Sequence, residues 1–240
     1  MSALVVVTGG SAGLGRALLA AAPEGSYRVD ISRSGPPADA DEHVAADLAD
    51  PAAWAGVGGH LERLVASQPW RRITLANCAG TLAPIGFAGE VDPDRYAANV
   101  LLNAAASLAL GQRFLVAVSG STARRELALI SSGAARTAYL GWSAYGAAKA
   151  AGDHWVRIAG AEQQERGGVR VLSVAPGVLA TRMQATIRDA DARDFPQVER
   201  FRELYETGGL ADPADAAARF WRLLDDDEVS TGSVVDLRDR

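Results

Sequence analysis

Cysteine occurs once in this 240-residue chain, histidine three times and lysine once. A single cysteine, Cys78, excludes an intrachain disulfide, and His43, His60 and His154 are scattered without the spacing of metal ligands, so no metal is expected. Charge of one sign is missing too. Lys and Arg total 24 against 29 Asp and Glu, and the net charge of -5 gives no sequence-wide attraction to phosphate backbones or anionic lipid. Neither a nucleic acid nor a membrane is expected as partner. The pairs Arg71-Arg72 and Arg124-Arg125 are short and isolated, and read as solvated surface. The longest apolar stretch, Ala104 to Val118, is broken by Gln112-Arg113 and is too short to cross a bilayer. The opening ALVVVTGG carries no signal-peptide pattern, so a cytoplasmic protein is expected.

The remaining composition is that of a folded globular chain, with 48% hydrophobic and 22% charged residues. Seven short runs rich in β-branched residues, ALVVV, YRVDIS, EHVAAD, RITLANCAG, ELALISS, VRVLSVAPG and GSVVDL, read as strands. Segments of helical spacing separate them, at SAGLGRALLAAA, AAWAGVGGHLERLVAS, 93–119, 143–166, 181–189, 197–207 and 213–224. Strands alternating with helices imply parallel crossovers, hence a three-layer α/β/α sandwich around a mostly parallel, seven-stranded sheet. No linker or composition shift divides the chain, so one domain over 1–240 is expected. The DDDE run at 225–228 reads as a solvated turn.

Chemistry enters with TGGSAGLG, Thr8 to Gly15, which follows the first strand and opens a helix. In that setting glycines permit a tight turn and close approach to a pyrophosphate at the helix N-terminus. Three residues separate Gly9 from Gly13, which departs from the G-x-G-x-x-G spacing. The single lysine stands four residues after Tyr145, in YGAAK. On a helix that spacing puts both side chains on one face. An ammonium there favours phenolate, so the tyrosine is expected to titrate below its usual value of about 10, nearer working pH.

TGGSAGLG, NCAG at 77–80, ISS at 130–132, YGAAK at 145–149 and PGVLAT at 176–181 together resemble the short-chain dehydrogenase/reductase family, in order and approximate spacing, over essentially the whole chain. LGWSAYGAAKAA and the C-terminal segments resemble its branch of sepiapterin reductases and bacterial aromatic-diketone reductases. The resemblance implies a Rossmann-type fold and an NADPH-dependent carbonyl reductase, with Tyr145 as general acid/base and Lys149 tuning it while holding the nicotinamide ribose. It implies Ser132 as the residue orienting the carbonyl, with Ser131 as its rival, and Asn99 supporting a proton path, with Asn103 as its rival. For the dinucleotide it points to Gly9, Ser11, Gly13, Leu14 and Gly15, to Asn77, Ala79 and Gly80, and to Pro176, Gly177, Val178 and Thr181. Asp47 and Leu48 would meet the adenine, although Asp47 could instead start a helix.

Which dinucleotide is bound turns on the end of the second strand. Asp30 offers a ribose-binding acid for NAD but falls within the strand. Ser32, Arg33 and Ser34 occupy its end, where a guanidinium and hydroxyls suit the extra phosphate of NADP. NADPH is expected, with NAD less favoured. Trp142, Leu140 and Met183 would flank the substrate or simply pack, and Asp236 aligns with an acid that anchors a pterin ring in sepiapterin reductases. The alanine-rich faces of the helices at 103–118 and 143–166, the usual dimerising pair of the family this chain resembles, suit a homodimer or tetramer. A sensor that binds the dinucleotide without chemistry, or an NAD-linked alcohol dehydrogenase, remains the alternative reading.

Overall fold

The computed structural model describes residues 3–239. Seven parallel strands form one sheet in the order β3-β2-β1-β4-β5-β6-β7: β1 (Ala3–Thr8), β2 (Ser26–Ser32), β3 (Glu42–Ala45), β4 (Arg72–Asn77), β5 (Arg124–Ile130), β6 (Arg170–Ala175) and β7 (Val234–Asp236). The chain winds outward from β1 to β3, then returns to the other side of β1 with β4. That reversal opens a crevice at the carboxyl ends of β1 and β4, where ligands of such sheets bind.

β1 is apolar on both faces because helices cover both. Leu4 and Val6 join one cluster with Phe114 and Val156, whereas Val5 and Val7 join another with Leu18 and Phe220. The first layer carries α2 (Pro51–Ala66), α3 (Pro93–Val100), α4 (Ser107–Ala117) and α5 (Ser143–Glu165), and the second carries α1 (Gly13–Ala20) and α8 (Pro213–Asp225). α2, α3 and α8 start identically. Asp50, Asp92 and Asp212 cap the first turn and a proline follows each, fixing where these helices begin. Two short helices, α6 (Arg182–Arg188) and α7 (Val198–Glu206), lie between β6 and α8. They close a third cluster, containing Trp142, Tyr145, Phe195 and Phe201, over the crevice.

The long helix expected over 93–119 is interrupted. Residues Leu101–Ala106 form a π-helical segment between α3 and α4. Within it Asn103 Nδ2 reaches back to the Asn99 carbonyl at 3.1 Å, so a side chain competes for the helix ladder. Residues Pro93–Ala117 are nonetheless long and apolar enough to cross a membrane, unlike the shorter run from Ala104 to Val118. Ala106, Leu110 and Phe114 of this stretch are buried in the core on the sheet.

A second correction concerns the arginine pairs. Arg72 and Arg124, read as solvated surface, converge on the fully buried Glu126. Asp225 and Asp227, from the acidic run that reads as a solvated turn, pair with the same two arginines at 2.7 and 2.9 Å. The neighbouring first residues of β4 and β5 bring the charges together, a juxtaposition that only strand pairing creates.

Candidate active site

The crevice is a cavity of about 630 Å³. Its floor is the glycine-rich turn. Gly9 has φ +70°, and a Cβ there would lie 2.9 Å from Ala79 Cα. Gly15 allows α1 to close against the Gly9 carbonyl, and a Cβ on Gly13 (φ +54°) would touch Thr181 at 3.4 Å. Side chains are thus excluded where a pyrophosphate would lie against backbone amides. Such a cradle fits a dinucleotide. Ser11 and Leu14 line it along with the three glycines, as do Ala79 and Gly80 opposite, and Pro176, Gly177, Val178 and Thr181 on the far wall.

At the end of β2 the wall is Arg33, Ser34, Asp47 and Leu48. Arg33 is 71% exposed and lies 3.5 Å from Asp47. The helix-starting role considered for Asp47 belongs to Asp50. Asp30 is fully buried. Its Oδ1 accepts from the Gly10 amide at 2.7 Å, and its Oδ2 accepts from Ser32 Oγ at 2.7 Å and faces His43 Nδ1 at 2.8 Å. It braces the turn and the strand end.

Asn77 stands just behind the cradle rather than in it. It is buried, accepts from Thr8 Oγ1 at 2.6 Å and reaches the Ser107 carbonyl, so it joins β1, β4 and α4 without lining the cavity. Asn99 and Asn103 also lie outside the lining. Both donate to the Thr81 carbonyl, and Asn103 Oδ1 accepts from the Thr81 amide at 3.0 Å, pinning the loop after β4. Asn103 and Lys149 both stand close to Gly80. A Cβ on Gly80 would sit 2.8 Å from Asn103 Oδ1 and 3.8 Å from Lys149 Nζ.

α5 presents Tyr145 and Lys149 together, both buried, with Lys149 Nζ 5.7 Å from the phenol ring centre. Ser132, just past β5, hydrogen-bonds the Tyr145 hydroxyl and accepts from the Ala134 amide at 3.2 Å. Ser131 is buried beside it with its hydroxyl unpaired. Lys149 donates to the Ile130 carbonyl at 2.7 Å.

The electrostatics run against the expectation from spacing. Burial raises the Tyr145 pKa, and only the Ser132 hydrogen bond offsets it. A phenolate in this dry corner loses its hydration, and the ammonium that was to compensate is itself held on a carbonyl. Burial likewise brings Lys149 down to about 8, against smaller opposing contributions from Cys78 and Asp153. The site therefore stores a proton on Tyr145 at neutral pH. Cys78 is pushed up to about 12 by burial, leaving an inert thiol.

Beyond the tyrosine lies an aromatic wall. Trp142 stacks on Phe195 at 4.6 Å, meets Tyr145 edge-on at 5.9 Å and contacts Tyr139 at 4.9 Å. Trp142 and Met183 line the cavity, whereas Leu140 is exposed and does not. Asp236 reaches the cavity with both oxygens engaged. Oδ1 accepts from the Arg238 amide and Nε, and Oδ2 accepts from Arg238 Nη2 at 2.6 Å and Arg136 Nη2 at 3.2 Å. The Arg238 hydrogen bonds hold its carboxyl below the usual range.

Residues 3–192 match the family model described as short chain dehydrogenase. The chain belongs to the short-chain dehydrogenase/reductase family. Its relatives include the benzil reductase ((S)-benzoin forming) of Bacillus subtilis, 33% identical over 240 residues and 98% of each chain. The sepiapterin reductase of Bos taurus is 31% identical over 199 residues, covering 82% of this chain and 73% of the relative. Among solved structures, a short-chain dehydrogenase/reductase from Saccharomyces cerevisiae superimposes with a TM-score of 0.84 at 24% identity, over 98% of this chain and 96% of the other. The protein is therefore an oxidoreductase, and a nicotinamide dinucleotide is the family's cofactor.

Proposed function

We propose that this short-chain dehydrogenase/reductase is an NADPH-dependent carbonyl reductase acting on aromatic 1,2-dicarbonyls. The observation that carries the reading is the buried, protonated Tyr145 hydroxyl on Ser132, beside Lys149 and against an aromatic wall. When bound, the reduced nicotinamide supplies the hydride. This chain supplies everything else. Ser132 donates to the carbonyl oxygen as negative charge grows there, and Tyr145 gives that oxygen its proton. Lys149 holds the ribose and balances the charge left on the phenol. A phenol whose pKa is raised by burial is a reservoir suited to reduction.

Arg33 and Ser34 at the end of β2 favour NADPH, because an exposed guanidinium with hydroxyl neighbours can clasp a 2′-phosphate. Asp30 supports the same choice by being taken up inside the fold. The B. subtilis and B. taurus relatives bracket two substrates, a diketone and a pterin. Asp236 favours the diketone here, because pterin anchoring needs a carboxylate that is free to accept. Exposed Val116 on α4 and Ile158 on α5 support a homodimer, with a tetramer as the larger assembly.

Purified protein should oxidise NADPH in the presence of benzil, and Tyr145→Phe should lower kcat by about 10³-fold while NADPH still binds by fluorescence titration. Turnover retained in the phenylalanine variant would remove Tyr145 from the chemistry. The reduction rate should also decline as pH rises through about 8, where Lys149 loses its proton. A rate flat from pH 7 to 9 would separate the lysine charge from the reaction.

A further inference from the structure

This chain carries more acid than base, yet the aromatic end of its cavity is basic. Arg182, Arg200 and Arg238 line it there, and Asp236 is the acid that faces them. Arg136 adds a further guanidinium on the same carboxylate. One carboxylate among these arginines leaves an excess of positive charge. The dinucleotide phosphates do not account for it, because their cradle lies at the glycine-rich turn and at Arg33.

One of these arginines meets a hydroxyl. Arg200, on α7, holds its Nη1 3.4 Å from Tyr139 Oη, and it forms no ion pair among the described residues. Arg238 is close enough to Tyr139 for the two to interact electrostatically. Asp236 takes the Nε and Nη2 edge of Arg238 and so orients it, while Nη1 keeps its donors. Tyr139 in turn contacts Trp142, which contacts Tyr145. The basic cluster thus stands an aromatic body's length from the reacting carbonyl.

Resting on the carbonyl-reductase reading above, we propose that the substrate is an aromatic carbonyl compound bearing a carboxylate at the end remote from the reacting carbonyl, received by Arg200, Arg238 and the Tyr139 hydroxyl. A planar oxyanion matches the guanidinium fork, and the hydroxyl beside Arg200 gives a further donor. Trp142 and Phe201, packed on each other at 5.5 Å, form one wall of the cavity, against which the ring that joins the two ends lies. The cluster is exposed on one side, which limits its contribution to that of a screened charge pair.

The test compares 4-carboxybenzil with its methyl ester and with benzil, using NADPH oxidation. The acid should exceed the ester in kcat/KM by about tenfold at low salt, and the preference should shrink as ionic strength rises. Arg200→Ala should reduce the acid-to-ester ratio to about one, and Arg200→Lys should restore part of it. Calorimetric binding of 4-carboxybenzil should weaken by a similar factor in the alanine variant, a readout independent of turnover. Equal kcat/KM for acid and ester, with benzil reduced, would overturn the carboxylate and leave the reductase standing. If no diketone is reduced but 4-carboxybenzil binds through Arg200, the anion site stands and the reductase reading falls. Binding unaffected by Arg200→Ala would overturn the site itself.

Discussion

At the amino end of the sheet Glu126 is fully buried and both its oxygens are claimed. Oε1 accepts from Arg124 Nε at 2.7 Å, and Oε2 accepts from Arg72 Nε at 2.7 Å and Thr74 Oγ1 at 2.9 Å. Arg170 continues the cluster, donating to the carbonyls of Leu223, Leu224, Asp226 and Val229 and so tying β6 to the end of α8. At the carboxyl end Lys149 is also buried, yet it has no ion pair among the described residues and donates to one carbonyl. The first charge is compensated by the fold. The second is offset only in part, by Cys78 and Asp153, and burial lowers its pKa. One sheet therefore has an end whose buried charge is paired within the fold and an end whose buried charge faces a cleft.

The largest effect should come from breaking the compensated end. Glu126→Gln keeps the shape but strands two guanidiniums, and should destabilise by about 3–5 kcal/mol in chemical denaturation. Its kcat per folded molecule should stay at the wild-type level, since no atom of Glu126 reaches the cleft. A loss under about 1 kcal/mol would show that the two ends do not differ as argued. Lys149→Met should do the reverse. Removing the buried ammonium should raise stability at pH 7 by about 1–3 kcal/mol while turnover falls more than about 100-fold. The sign follows from linkage. Between the folded value of about 8 and the unfolded value near 10.5 the unfolded chain binds more protons, so wild-type stability rises with pH across that window. The methionine variant should lack that rise. Should it be less stable than wild type at pH 7 and keep the same pH slope, the lysine is no liability.

Those two ends were not equally legible in the sequence. The strand and helix alternation is written in local periodicity, so the sheet and its flanking helices follow from it, and the Asp-Pro steps at 50, 92 and 212 mark helix starts. The glycine-rich turn and the Tyr145-Lys149 spacing are local as well, and the cleft collects nearly all the residues they suggested. Glu126 gave no such signal, because Arg72 lies 54 residues away and meets it only through strand pairing. The π-helical break could be read only by knowing that Asn103 would turn back on Asn99. The direction of the Tyr145 shift depends on burial, a property of the assembled walls; spacing alone announced the lysine and hid the desolvation. Asp236 was visible as an acid, and Arg136, one hundred residues away on its oxygen, was not.

The smallest expected effect makes the comparison sharpest, because it concerns the same residue type as the stabilising cluster. Arg33 is 71% exposed and its contact with Asp47 is a loose 3.5 Å pair, in contrast to the two arginines on Glu126. An exposed pair of that kind contributes about 0–1 kcal/mol to folding. Arg33→Ala should therefore leave the unfolding midpoint almost where it was. Its effect should fall on the cofactor instead. Losing one charge-assisted contact to a 2′-phosphate should raise the NADPH KM by about tenfold and leave the NADH KM nearly unchanged. Equal changes for the two dinucleotides would move the phosphate site away from β2. A fall in stability comparable to that of Glu126→Gln would instead mean that an arginine at the cleft serves the fold as those at the opposite end do, and the contrast between the two ends would fail.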